Sequence, residues 1–320
     1  MNNELSQVYS WAQRLSRGAA IGTILLFIAF HLFHVSPSIS FQLIIALIAL
    51  MLGIPHGAID HLITLPKNPR SRFFTFIIIY ILIAIAAGYG IAHWNRLGFQ
   101  LVVLMSSLHF GFGDAAYSNE WEDAKGSPRN PFSIVFIYAL PAGFLPVILP
   151  LTDTRALSAL NRINPSIAHW CGSFTSIFRN ATLTITVLCI LALVLAKRLQ
   201  LALDLILLAA LSLIAPPLIT FALYFGCWHA VRHTARLVPK LPKAMLQLNK
   251  SSAFAAIRAA IIPGLYAVVG TLAFAALLIF FDAKNFSYGL LWSTLVIVWS
   301  LTVPHMLATA KFDLGAFEKK

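Results

Sequence analysis

Hydrophobic residues in this chain fall in long unbroken runs. They show neither the period-two alternation of half-buried strands nor the one-sided stripe of a helix on a soluble core. Asp, Glu, Lys and Arg are absent from 18–59, 73–95, 97–113, 130–152, 180–196, 205–231, 259–281 and 285–310. A helix needs about 20 apolar residues to cross a bilayer core, so each run is read as one span or two. Ser36-Pro37-Ser38 divides the first run into helices over about 18–35 and 40–65. Further spans are expected at about 73–93, 97–117, 131–150 and 176–196. As one helix, 199–236 would be about 57 Å long at 1.5 Å per residue, nearly twice the hydrocarbon thickness. Pro216-Pro217 breaks it. With spans at 259–281 and 285–310, the pattern predicts an all-α, polytopic transmembrane bundle of about ten helices, eight to ten. The segment 199–215 is short and carries Asp204, which leaves a full, a tilted or a half-inserted helix open.

Composition excludes a soluble fold. Hydrophobic residues make up 59% and charged ones 11%, with a mean hydropathy of +0.82, against about 25% charged in a typical soluble domain. The net charge of +12 does not point to nucleic acid, because the basic residues lie between the apolar runs and form no basic domain. They orient the chain instead. With the N-terminus inside, the Lys and Arg of 1–17, 66–72, 118–130, 197–198, 232–258 and 311–320 all face the cytoplasm. Only Arg96, Arg155, Arg162, Arg179 and Lys284 fall outside. Both termini are therefore expected in the cytoplasm, with 1–17 a cytoplasmic N-terminal segment and 232–258 a basic cytoplasmic loop. Arg14 and Arg17 precede an apolar run too long for a cleaved signal, so the first span is expected to stay. No repeat or linker divides residues 1–320, read as a single integral membrane domain. Cys171, Cys189 and Cys227 are too scattered for a disulfide framework or a thiolate metal site.

The 10 histidines sort by depth. His31, His34, His93 and His169 fall at outer ends of spans or in an outer loop, as interfacial residues do. His56, His61, His109, His229, His233 and His305 lie on four helices that run from outside to inside. On each helix one of them lies about 5 to 9 residues short of the cytoplasmic end, roughly 8–14 Å along the axis. Ionisable groups at that depth are costly and mark function, and neutral imidazole is the commonest protein metal ligand. His229 and His233 share one helix face at i, i+4 spacing. Asp60, one turn beyond His56, and Asp114, beyond His109, are placed either to accept a ligand's second N–H or simply to end a helix at the interface. Imidazoles without thiolates suit iron, copper or zinc. A lipid-filled setting, where oxygen and apolar substrates concentrate, favours iron(II).

Gly53-Ile54-Pro55-His56-Gly57-Ala58-Ile59-Asp60, Leu108-His109-Phe110-Gly111-Phe112-Gly113-Asp114, the stretch 216–233 ending Trp228-His229-Ala230-Val231-Arg232-His233, and Leu301–Met306 around Pro304-His305 recur in a fixed order. In this the chain resembles the Brp/Blh family of membrane β-carotene 15,15′-dioxygenases, the bacteriorhodopsin-related proteins. The resemblance implies an iron(II) enzyme of the bacterial inner membrane that cleaves β-carotene with O2 into two retinal molecules. It implies iron ligands at His56, His109, His229 and His233. His305 is expected beside the ligands or in the substrate pocket, and His61 at the interface. Tyr224, Phe225 and Trp228, next to the histidine pair, are expected to line a carotenoid tunnel reached from the membrane lipid. Two other readings stay open: a lipid desaturase or hydroxylase with two irons, and a transporter or proton path using intramembrane histidines.

Overall fold

In apolar surroundings a backbone has to satisfy its own N–H and C=O groups, and the apolar runs of this chain do so as helices. The computed structural model describes residues 2–57, 59–60, 70–250, 252–266, 268–269 and 288–318, and the described residues hold helices and turns without strands. In order these are α1 (Asn2–Leu32), α2 (Ile39–Gly57), α3 (Arg70–His93), α4 (Asn95–Ala124), α5 (Phe132–Val147), α6 (Thr154–Ile163), α7 (Thr175–Leu195), α8 (Leu199–Ile214) and α9 (Pro217–Leu223). A π-helical segment, Tyr224–His229, joins α9 directly to α10 (Ala230–Leu237). α11 (Pro242–Lys250), α12 (Ala253–Ile261) and α13 (Tyr288–Gly315) follow.

Five described helical stretches are long and apolar enough to cross a membrane: Glu4–Leu32, Ile39–Gly57, Arg72–His93, Gly172–Leu195 and Leu295–Gly315. Phe132–Val147, Leu199–Ile214 and Ala253–Gly264 are apolar but shorter. Large apolar side chains such as Leu25, Ile85 and Leu188 point outward from these helices, as they do where the surroundings are themselves apolar. The expected breaks are present. α1 stops before Ser36-Pro37-Ser38, and Pro217 opens α9 at its first turn, where a missing N–H costs nothing. Most of the span expected over 259–281 lies outside the described residues, as do His61 and Lys284.

Two expected segments differ. Residues 1–17 do not precede the first helix: from Asn2 they are its opening turns, with Val8, Tyr9, Ala12, Gln13 and Ser16 buried. The basic loop expected over 232–258 is largely helical, occupied by α10, α11 and the start of α12. Val8, Tyr9, Tyr117, Leu237, Val238 and Ile257 form one hydrophobic cluster there, so burial of apolar faces draws both segments into the fold.

α4 is the axis about which the site is built. It packs against α5 with the backbones in contact: a Cβ on Gly111 would overlap the Ala139 carbonyl, and one on Gly143 the Ser107 carbonyl. Only glycine permits that approach. Away from the apolar helices, Asp153 caps α6 by accepting from the Arg155 N–H at 2.8 Å. Partial burial pushes the Asp153 pKa up, but hydrogen bonds from Arg155 outweigh it and hold the carboxyl below its ordinary value.

Candidate metal centre

The histidines of α2, α4, α13 and the π segment with α10 meet in one place. The His56 ring centroid lies 5.5 Å from that of His229, 5.1 Å from His233 and 5.3 Å from His305. His109 is 5.1 Å from His229 and 5.2 Å from His305. The separations His229–His233 and His233–His305 are 5.8 and 6.2 Å. All five residues are buried. His305, expected beside the ligands, stands in the cluster with the other four. His31, His34, His93 and His169 are exposed and take no part.

The free nitrogens test whether this cluster fits a metal. Nε2 of His109 and His305, and both ring nitrogens of His229 and His233, are buried without a hydrogen-bond partner. An unmade hydrogen bond on a buried group costs about 1–3 kcal/mol, and several gathered at one point call for an ion or another polar guest. On His56, His109 and His305 the opposite nitrogen is engaged, and on His229 it faces a carboxylate. His305 donates from Nδ1 to Asp60, 2.9 Å from Oδ2, and His56 Nδ1 to the Gly53 carbonyl. Nδ1 of His109 lies 3.4 Å from the Thr309 hydroxyl and 3.9 Å from Asp313 Oδ2, and Nδ1 of His229 lies 3.8 Å from Asp114 Oδ1. Imidazoles that bind metals are oriented in this way, through the nitrogen that does not bind. Among the described residues no three His, Cys, Asp or Glu side chains stand closed into a ready-made ion cage. Several ring pairs nevertheless have the spacing of imidazoles round one ion: with metal–nitrogen bonds of about 2.1 Å, tetrahedrally arranged rings have centroids about 5 Å apart, close to the separations of His56–His233, His109–His229 and His109–His305. The donor set therefore suits a transition metal.

Local sequence explains how the rings are aimed. A π-helical turn widens the coil at Tyr224–His229, a rare feature that gathers at functional sites. Asp114 Oδ2 accepts there from Tyr224 Oη at 3.1 Å and from Trp228 Nε1 at 2.8 Å. Tyr224 and Trp228, expected to line a tunnel, are wholly buried as the supports of Asp114. Asp60 braces the His305 ring and not, as the spacing suggested, that of His56.

The sequence pattern does not single out several residues of the site. Asp313 and Thr309 follow His305 at steps of four, one helix face, and that spacing was the available signal. Arg232 and Arg236, counted as charges of a loop, are buried at 1% and 0% exposure. Arg232 donates from Nη1 to Asp204 Oδ2 at 2.8 Å and lays its guanidinium 3.8 Å over the Trp228 ring. Arg236 pairs with Glu120 at 2.9 Å and with Asp313. Asp204 also accepts from Arg17 Nε at 2.7 Å, Gln13 Nε2 at 3.3 Å and Tyr138 Oη at 3.4 Å, which accounts for a carboxylate in the short apolar α8.

A family model described as beta-carotene 15,15′-dioxygenase matches residues 47–313, a stretch that holds all five clustered histidines and their carboxylates. No curated protein and no solved structure matches the chain.

Proposed function

This chain belongs to the beta-carotene 15,15′-dioxygenase family, and we propose that it is a multi-pass inner-membrane enzyme that splits the central 15,15′ double bond of β-carotene with O2. One carotene and one O2 give two molecules of all-trans-retinal, each aldehyde carrying one of the two oxygen atoms. The observation that carries the proposal is the set of buried imidazole nitrogens left without partners where four helical segments converge. His56, His109, His229 and His233 would hold iron(II), with His305 in reach of the same centre. Iron there would supply the electron chemistry that ground-state O2 needs in order to attack a closed-shell polyene.

The rest of the work falls to the chain. Asp60 and the Gly53 carbonyl fix the rings of His305 and His56, while Asp114 and Asp313 lie close to His229 and His109. The five rings are buried, which would keep water from the reacting carbons. The five long apolar helices suit a substrate that is itself dissolved in lipid. Both termini and the basic stretch 232–258 would face the cytoplasm, as the positive-inside count has it.

Expression in bacteria that accumulate β-carotene tests this reading. Retinal should appear in extracts of cells carrying the wild-type chain and be absent with His229→Ala at equal protein level. Purified protein should hold about one iron per chain, since neutral imidazoles without thiolates suit that metal. Under ¹⁸O2, with exchange suppressed by rapid reduction to retinol, both product halves should carry label. Intact β-carotene in cells that make the folded protein would sink the proposal.

A further inference from the structure

The histidine cluster has two unlike sets of neighbours. It is braced by Asp60 beyond α2, Asp114 on α4, Asp313 on α13 and the paired Arg236 on α10. Three phenylalanines also close over it. Phe110 lies 4.6 Å from His229 and Phe225 5.8 Å from His56, centroid to centroid. Phe221, one turn before Phe225, stacks on it at 6.1 Å with the planes 6° apart, and Phe110 is 6.5 and 6.2 Å from the two. Exposure rises outward, from Phe110 at 5% through half-buried Phe225 to Phe221 at 39%. α9 and the π segment pack on α2, whose Ile48 and Leu52 also face outward. The Phe225 ring lies across Gly53 in space that any Cβ there would occupy.

We infer that Phe110, Phe221 and Phe225 form the lipid-side doorway to the cluster, through which a conjugated polyene passes and against which it is held. The inference rests on the carotenoid reading above and adds the route and the residues that set it. Energetics choose between the two sets. Separating the bracing groups removes partners from buried charges, at about 3–5 kcal/mol for each broken pair. Parting the phenylalanines breaks no hydrogen bond or ion pair and exchanges one apolar surface for another. Aromatic rings also offer a flat polyene extended contact at little loss of side-chain freedom.

The test is to measure β-carotene binding to metal-free protein in detergent, through the shift of the carotenoid's visible absorption, and KM and kcat with iron present. Phe221→Trp and Phe225→Trp narrow the doorway, and Phe74→Trp, on the outer surface of α3, is the control. The doorway variants should raise the Kd and the KM about tenfold while kcat stays within about twofold, the pattern of lost substrate binding without lost transition-state contact. Phe225→Ala should keep its iron and yield unequal fragments. Phe221 lies at the surface, so Phe221→Trp decides the matter even if a Phe225 variant fails to fold. Doorway variants that match Phe74→Trp in both Kd and KM, in a wild type that binds and cleaves carotene, would overturn the doorway alone. A wild type that neither binds nor cleaves β-carotene would overturn the function and the doorway together.

Discussion

Two buried polar regions sit side by side on the helix of residues 229–236 and are completed in opposite ways. Around Asp204, the carboxylate meets Arg17, Arg232, Gln13 and Tyr138, so its charge is balanced inside the protein. In the histidine cluster, carboxylates stand behind the rings, while Nε2 of four of the five imidazoles meets no partner. Asp114 shows the contrast most sharply. It is buried like Asp204 but accepts from neutral donors, Tyr224 and Trp228, and its other oxygen lies 3.8 Å from His229 Nδ1. A carboxylate met by guanidiniums from two other helical segments holds those helices together. A polar region left with lone pairs inward and negative charge behind them is complementary to a cation.

Four experiments would break or sharpen that contrast. The largest effect is expected from His229→Ala, which should lower retinal formation at least about a thousandfold and strip the iron, beyond the ten- to hundredfold that loss of an outer partner costs. Wild-type turnover and iron content in this variant would show the ligand set to be wrong. Asp204→Ala should next cost about 3–5 kcal/mol of stability by leaving Arg232 buried without its partner, read from thermal unfolding in detergent. Iron per folded chain should stay unchanged. Replacing Asp204 with Leu and Arg232 with Met together should recover much of the loss, because Arg17, 16% exposed, can turn its head outward. Asp114→Asn should weaken iron binding about 10–100-fold and leave the unfolding temperature nearly in place, since the amide oxygen still accepts from Tyr224 and Trp228. If Asp114→Asn instead unfolded the protein as Asp204→Ala does and bound iron normally, the two regions would be alike. The smallest effect is expected of His93→Ala, whose exposed ring stacks on Tyr89 at 5.5 Å. A change beyond about twofold in turnover would extend the site to the far ends of the helices.

What could be read from the sequence was whatever depends on position along a helix. Ser36-Pro37-Ser38 and Pro216-Pro217 stop helices by local backbone chemistry, and both do so here. The common depth of His56, His109, His229 and His305 follows from a fixed rise per residue, and the four rings do meet. Neighbours across helices were not legible, because rise says nothing of which face meets which. Asp60 was paired by spacing with His56, four residues back, whereas it braces His305, 245 residues away. The π-helical turn was equally hidden, since Tyr224–His229 reads as an ordinary apolar helix. Arg232 and Arg236 looked like loop charges because their partners Asp204, Glu120 and Asp313 lie on three other helices.

Those two arginines bear on how the chain is made. Each is buried, and a buried charge stripped of its partner costs about 3–5 kcal/mol, so Pro217–Leu237 is poorly held until its counterions are in place. Arg232 finds Asp204 only 28 residues earlier, already translated on the preceding helix. Arg236 finds Glu120, 116 residues earlier and also already translated, but has to wait for α13 to deliver Asp313, on the same helix that brings His305. Synthesis order thus postpones the site: a nascent chain halted before α13 lacks both the second counterion of Arg236 and the fifth imidazole. The four histidines proposed as ligands, His56, His109, His229 and His233, are all translated before that point, so such a chain would carry the ligand set without the His305 and Asp313 that close round it.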